Sequence, residues 1–164
     1  MKGCLKQWTM VAVMIALSAC QPGLKVVAEP LAATVLFQGQ QCGRHESSAA
    51  VTRIVSAQAL QALATRLDRA FAAEVDFQQQ LVLLVEMGQR PTTGYRLLLS
   101  DTGVIVTEAK AVLRLDWQQP PPGAMLAQML TSPCLLLSLP FAGYTEVAVV
   151  DGDGKRGLVL DLER

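Results

Sequence analysis

Few side chains in this sequence can do covalent or metal chemistry, and those few are scattered. His45 is the sole histidine, in a loop-like stretch from Gly39 to Ser48. Catalysis by a serine or cysteine nucleophile needs a positioned base, and a lone histidine among glycines and serines reads as a solvated side chain. The four cysteines, Cys4, Cys20, Cys42 and Cys134, form no Cys-x-x-Cys pair, so the usual zinc spacing is missing. Asp151-Gly152-Asp153-Gly154 brings two carboxylates together. An EF-hand loop needs more oxygen ligands and a distal carboxylate at set spacing, whereas Asp-Gly is a strong hairpin-turn signal. No glycine-rich strand–turn–helix for a nucleotide is present. The sequence therefore predicts no catalytic residues, no metal and no cofactor.

The first nineteen residues read as a leader. Lys2 and Lys6 make a positive start, Trp8 to Leu17 is a short apolar run, and Leu17-Ser18-Ala19-Cys20 closes it. That run is about half the ~20 residues a membrane-spanning helix needs, so it reads as a signal segment. Leu-Ser-Ala-Cys resembles the lipobox of bacterial lipoproteins. The resemblance implies cleavage before Cys20, a lipidated Cys20 and residence in the bacterial cell envelope. Gln21 stands where an Asp would favour the inner membrane, which directs the expectation to the periplasmic face of the outer membrane. Residues 20–31 then read as a lipidated tether and residues 32–164 as one globular domain.

With the leader gone, Cys42 and Cys134 are an even pair in an oxidising compartment, which suggests a disulfide; two buried free thiols are the alternative. Lys+Arg and Asp+Glu balance at 14 each, and losing Lys2 and Lys6 tips the chain slightly acidic. No basic stripe appears, so nucleic acid is not an expected partner. An apolar fraction of 51% against 17% charged is ample for a packed core.

The pattern predicts an α+β fold, a mostly antiparallel sheet or sandwich with one main helix. Ala33 to Gln38 and Val51 to Val55 are strand candidates. Ser56 is a plausible N-cap for a helix over 57–70, whose Leu60, Leu63, Leu67 and Phe71 recur at helical spacing. Leu81 to Met87 is apolar on nearly both faces, as in a central strand covered on both sides; Glu86 is its one charge and is expected to reach a loop or solvent. Tyr95 to Val106 alternates loosely with a bulge or turn at Asp101-Thr102-Gly103. Ala111 to Trp117 alternates well, and Pro120-Pro121-Pro122-Gly123 must leave the sheet. Ala124 to Leu130 is either a helical turn or extended. Cys134 to Leu139 reads as a buried strand, and Glu146 to Val150 with Leu158 to Leu162 as a terminal hairpin.

Between two strands lies the loop Gln89 to Tyr95. Pro91 fixes its own φ and restricts Arg90, Gly94 permits positive φ or close approach, Thr92 and Thr93 offer uncharged hydroxyls, and Tyr95 is of a type enriched at interfaces. The ordered set Val75-Asp76-Phe77, Met87-Gly88, Pro91-Thr92-Thr93-Gly94-Tyr95, Pro122-Gly123-Ala124-Met125 and Leu130-Thr131-Ser132-Pro133 resembles the C-terminal domain of the PrcB family of protease complex subunits. The likeness covers about 75–140, and the family usually has Gly where Thr93 stands. It implies a non-catalytic, lipid-anchored accessory subunit of an envelope or surface protease, with Pro91 to Tyr95, Pro122 and Gly123 as the expected contact residues. Pro91 to Tyr95 is also similar to the first loop of chagasin-type cysteine protease inhibitors, which are β-sandwiches. Those carry Asn where Arg90 stands, and a further Arg-Pro-aromatic loop that Leu139-Pro140-Phe141 only partly matches. Protease inhibition is thus a second expectation, and a structural envelope lipoprotein with no protease partner a third.

Overall fold

The computed structural model describes residues 29–71, 74–154 and 157–163. The leader and Cys20 lie outside the described residues. In chain order the elements are β1 (Glu29–Leu31), β2 (Thr34–Gly39), β3 (Ala50–Ile54), α1 (Ala57–Leu67), β4 (Gln80–Glu86), β5 (Arg96–Thr107), β6 (Lys110–Gln118), β7 (Cys134–Pro140), β8 (Glu146–Asp151) and β9 (Gly157–Asp161). They build two sheets, a five-stranded one in the order β1-β5-β6-β8-β9 and a four-stranded one in the order β2-β7-β4-β3. Every pairing is antiparallel except β6 with β8. Among the described residues the fold is the mostly-β α+β sandwich with one helix that the pattern predicts.

The sandwich follows from the two-sided apolarity of β4 and β7. Side chains alternate across a strand. Leu81, Leu83 and Val85, with Leu135, Leu137 and Leu139, face the five-stranded sheet and meet Leu97, Leu113, Leu115, Val147 and Val149. Their neighbours Val82, Leu84 and Leu136 face the other way and meet Leu63 of α1. Each fully buried Leu or Val contributes about 1.5–3 kcal/mol, and these two strands carry most such residues. Tyr144 closes the core between β7 and β8: its hydroxyl donates to the Pro140 carbonyl at 2.9 Å, and burial pushes its pKa up to about 12.

Several boundaries differ from the sequence reading. Ser56 does cap α1, its hydroxyl accepting from the Ala59 amide at 3.1 Å. The helix ends at Leu67 rather than at residue 70, because Asp68 turns left-handed (φ 50°, ψ 48°) and the Asp68 and Arg69 amides bond back to Thr65 and Ala64. Phe71, beyond that stop, still reaches the same apolar layer and lies 5.6 Å from the Phe37 ring. Glu29–Leu31, inside the stretch read as tether, is a short edge strand paired with Val104–Val106; three residues containing a proline carry no readable period. The bulge in β5 falls between Leu99 and Val104, and the Gly154 amide closes the β8–β9 turn onto Asp151 at 2.9 Å.

One correction concerns charge. Glu86 does not reach solvent: it is an even-numbered residue of β4, so it points to the helix side and is 6% exposed. Its pKa is raised, chiefly by burial, against the opposing pull of Arg66 and then Arg44, with Glu46 adding to the rise. Arg44 stands 3.9 Å away. A folded-state pKa above the unfolded one means that this group's contribution is fully present below the ordinary carboxylate range and is lost as pH rises through the raised value. Ionising this buried carboxyl is therefore a net cost to the folded state. Glu86→Gln is expected to raise the urea midpoint at neutral pH and to flatten the gain in stability that the parent shows on mild acidification. A lower midpoint at neutral pH would show that the pairing with Arg44 and Arg66 outweighs desolvation.

Candidate contact surface

Strand direction collects four connections at one end of the sandwich. The ends of β2 and β4 both pair with the start of β7 at Cys134, the start of β5 pairs with the end of β6, and β8 runs parallel to β6. Loops 40–49, 87–95 and 119–133, with residues 152–154 after β8, therefore share one pole. The sequence-predicted contact residues Pro91 to Tyr95, Pro122 and Gly123 all lie there. The two stretches touch: a Cβ on Gly94, whose φ is +96°, would stand 3.0 Å from Pro120 Cβ and 3.5 Å from the Leu126 methyls.

Backbone hydrogen bonds stiffen this pole. Arg90 and Thr131 exchange amide-to-carbonyl bonds of 2.8 and 2.9 Å, the Thr93 amide donates to Ala127 at 3.3 Å, and the Met87 amide to Pro133 at 2.8 Å. The buried Thr131 hydroxyl donates to the Thr92 carbonyl at 3.0 Å. On the other side, the Gln89 amide donates to Glu46 at 2.8 Å. Gly88 (φ +86°) lies so close to the 47–48 backbone that a Cβ there would meet the Ser47 carbonyl oxygen at 2.5 Å. Ser132 ties in the third loop: its carbonyl accepts from Cys42 at 3.0 Å and its hydroxyl from the Arg44 amide at 2.9 Å.

Arg90 explains how the loop is held in place of the Asn of the chagasin-type sequence. Its guanidinium donates to the carbonyls of Met87 (2.7 Å), Ser47 (3.2 Å) and Gln89 (3.2 Å) and lies 5.9 Å from the Tyr95 ring centre. Five donors in a planar fork suit that many acceptors. Sequence reasoning treated Arg90, Thr131 and Ser132 as neighbours of the site, yet they are its frame. Thr131 and Ser132 find their partners on other loops, and Arg90 bonds Ser47 and Thr131 as well as its own loop, so local spacing does not announce them. A depression of about 260 Å³, lined by Met87, Arg90, Pro91, Tyr95 and Gln119, lies between the loop and the end of β6.

Cys42 and Cys134 are joined in a disulfide, with Cα atoms 5.9 Å apart and both residues fully buried. The bridge pins loop 40–49 to the start of β7, beneath the contact loops. His45 is exposed, in keeping with a solvated side chain. Among the described residues no three or more His, Cys, Asp or Glu side chains are grouped to hold a metal ion, and no helix is long and apolar enough to cross a membrane.

Part of the open surface of this pole, along 121–130, is apolar. Met125 is fully exposed, Leu130 and Met129 are about half exposed, and Pro91, Pro121 and Pro122 are exposed beside them. Leu139-Pro140-Phe141 lies elsewhere. Pro140 pairs with Gln80 at the start of β4, so Phe141 sits at the pole opposite to Pro91–Tyr95, and the two cannot form one wedge of inhibitory loops.

Residues 81–140 match a protein-family model described as PrcB C-terminal. The matched span runs from β4 through β7 and contains both the 87–95 loop and the 119–133 connection. This accessory family is not a recognised catalytic one. No curated protein and no solved structure matches the chain.

Proposed function

We propose, from a chain that carries a PrcB C-terminal domain over residues 81–140, that it is a non-catalytic, lipid-anchored accessory subunit that binds an envelope protease. One observation carries the reading: the matched segment coincides with the stiffened pole and its exposed Met125, Met129 and Leu130. Monomeric soluble domains rarely leave contiguous apolar patches without a partner, and a frame tied by Arg90 and Thr131 is already ordered before binding, which lowers the entropic cost of association. Lipid on Cys20 would fix the subunit to the periplasmic face of the outer membrane, since several acyl chains at about 0.8 kcal/mol per buried methylene hold it there.

The test has two arms. Cys20→Ser is expected to move the chain from the membrane fraction to the soluble fraction, or to leave it unprocessed; unchanged membrane attachment would remove the anchor from this account. Detergent extraction of the parent, followed by co-purification, is expected to yield a stoichiometric protease. Its absence would favour a structural lipoprotein. Inhibition of a papain-like protease by the purified chain would restore the chagasin-like reading, although Arg90 and the misplaced Phe141 argue against it.

A further inference from the structure

The connection 124–130 is open in two ways at once. Its residues are mostly exposed, and much of its hydrogen-bonding backbone has no backbone partner. Among the described residues, its backbone-to-backbone bonds are Ala124 to the Pro121 carbonyl, Thr93 to the Ala127 carbonyl and Met129 to the Ala127 carbonyl. The amides of Met125, Leu126, Gln128 and Leu130 enter none of these. The Gln41 side chain donates to the Leu130 carbonyl at 3.1 Å. The stretch is also uncharged: no Asp, Glu, Lys or Arg occurs between Asp116 and Glu146. Arg90, whose backbone pairs with Thr131, is engaged through its guanidinium with three carbonyls.

These features select the form of an occupant. Water satisfies the open amides in the free chain. A partner that covers the methionines must replace that water with acceptors, because a buried unpaired amide costs about 1–3 kcal/mol. Acyl chains offer no acceptors, but an extended polypeptide offers a carbonyl every second residue on the side it presents, with side chains alternating above and below. A charged segment would be desolvated here with no counter-charge to meet it. We propose that 124–130 is a docking edge that captures an extended, uncharged, apolar segment of the partner protein by backbone pairing, while Met125 and Met129 grip its side chains. Methionine suits this role because its flexible thioether adapts to more than one partner side chain. The proposal rests on the partner-binding reading above and specifies its mode.

The test pans a phage-displayed library of random linear peptides on the full chain purified in detergent. Enriched peptides are expected to be apolar, free of charge and free of proline at their centres. A synthetic copy of one should slow hydrogen exchange at Leu126, Gln128 and Leu130. Met125→Ser with Met129→Ser should weaken its binding by about tenfold or more, roughly 1.4 kcal/mol, with an unchanged melting temperature, as both residues are exposed. Enrichment of charged peptides, no enrichment, or binding that leaves exchange at those amides unchanged would overturn backbone docking. Protection of the same amides in the free chain, together with a dimeric mass, would assign the edge to a second copy and overturn it equally. A protease that co-purifies undiminished with the Met125→Ser, Met129→Ser chain would sink this mode and leave the accessory role standing, whereas absence of any protease sinks that role instead.

Discussion

Replacing both Cys42 and Cys134 by alanine should cost the chain about 4 kcal/mol of stability, read as a drop in the urea midpoint with a somewhat steeper slope, because the unfolded chain loses its cross-link and exposes more surface. The bridge joins residues 92 apart in sequence, and in the chain-entropy treatment a loop of that order constrains the unfolded state by roughly 4–5 kcal/mol. Both sulfurs are fully buried in the layer beneath α1, so alanine also leaves a void there. The effect reaches the contact pole, because Cys42 is followed at once by the stretch that receives Arg90 and Gln89. Reduced parent protein should match the double variant to within the cost of that void. Equal midpoints for oxidised parent and double variant would show that the cross-link contributes nothing, and would require loop 40–49 to be ordered in the unfolded chain.

Gly88→Ala should cost about 2–4 kcal/mol and loosen the contact loops as well. Two independent causes act at this residue. Its φ of +86° disfavours any side chain, and an added Cβ would meet the Ser47 carbonyl oxygen at 2.5 Å and that of Ser48 at 2.7 Å. Those contacts are backbone, so no rotamer change relieves them. Loop 44–48 must move, and with it the acceptors of the Gln89 amide and the Arg90 guanidinium. Gly123→Ala separates the two causes. Gly123 also has positive φ, +80°, but a Cβ there meets nothing within 4 Å, so only the conformational cost of about 1–2 kcal/mol applies. Equal losses at the two glycines would show that close packing against 47–48 has no energetic weight.

The fold was largely legible because its strongest signals are local. The unbroken apolar runs of β4 and β7 told of strands covered on both faces, and α1 declared itself through Leu60, Leu63 and Leu67 behind Ser56. What escaped depended on partners far along the chain. The left-handed turn at Asp68 has no glycine to announce it. β1 becomes a strand only because the edge of β5 is free to receive it. Glu86 looked terminal by position, but the parity of β4 turns it under the helix, where Arg66 and Arg44 meet it. At the contact pole, Pro91 to Tyr95 could be picked out by residue type. The roles of Arg90, Thr131 and Ser132 could not, since each also rests on a carbonyl or amide of another loop. The methionines of 124–130 matched a helical turn and an extended segment equally well, and the structure forms no helical turn there.

The place where the chain enters the sandwich has a mechanical meaning. β1 pairs with Val104–Val106, close to the β5–β6 turn, whereas β5 begins at the contact pole with Arg96. About ten residues of strand, near 30 Å at ~3.3 Å per residue, separate the two. Were the chain fastened through Cys20, as proposed, it would be held by its foot. The nine residues from Cys20 up to Glu29 would let that foot lift by at most about 30 Å if fully extended, and the sandwich would add its own length above it. The 89–95 loop and the 124–130 stretch would then ride at the tip of a mast, turned from the lipid and towards whatever stands at the same height.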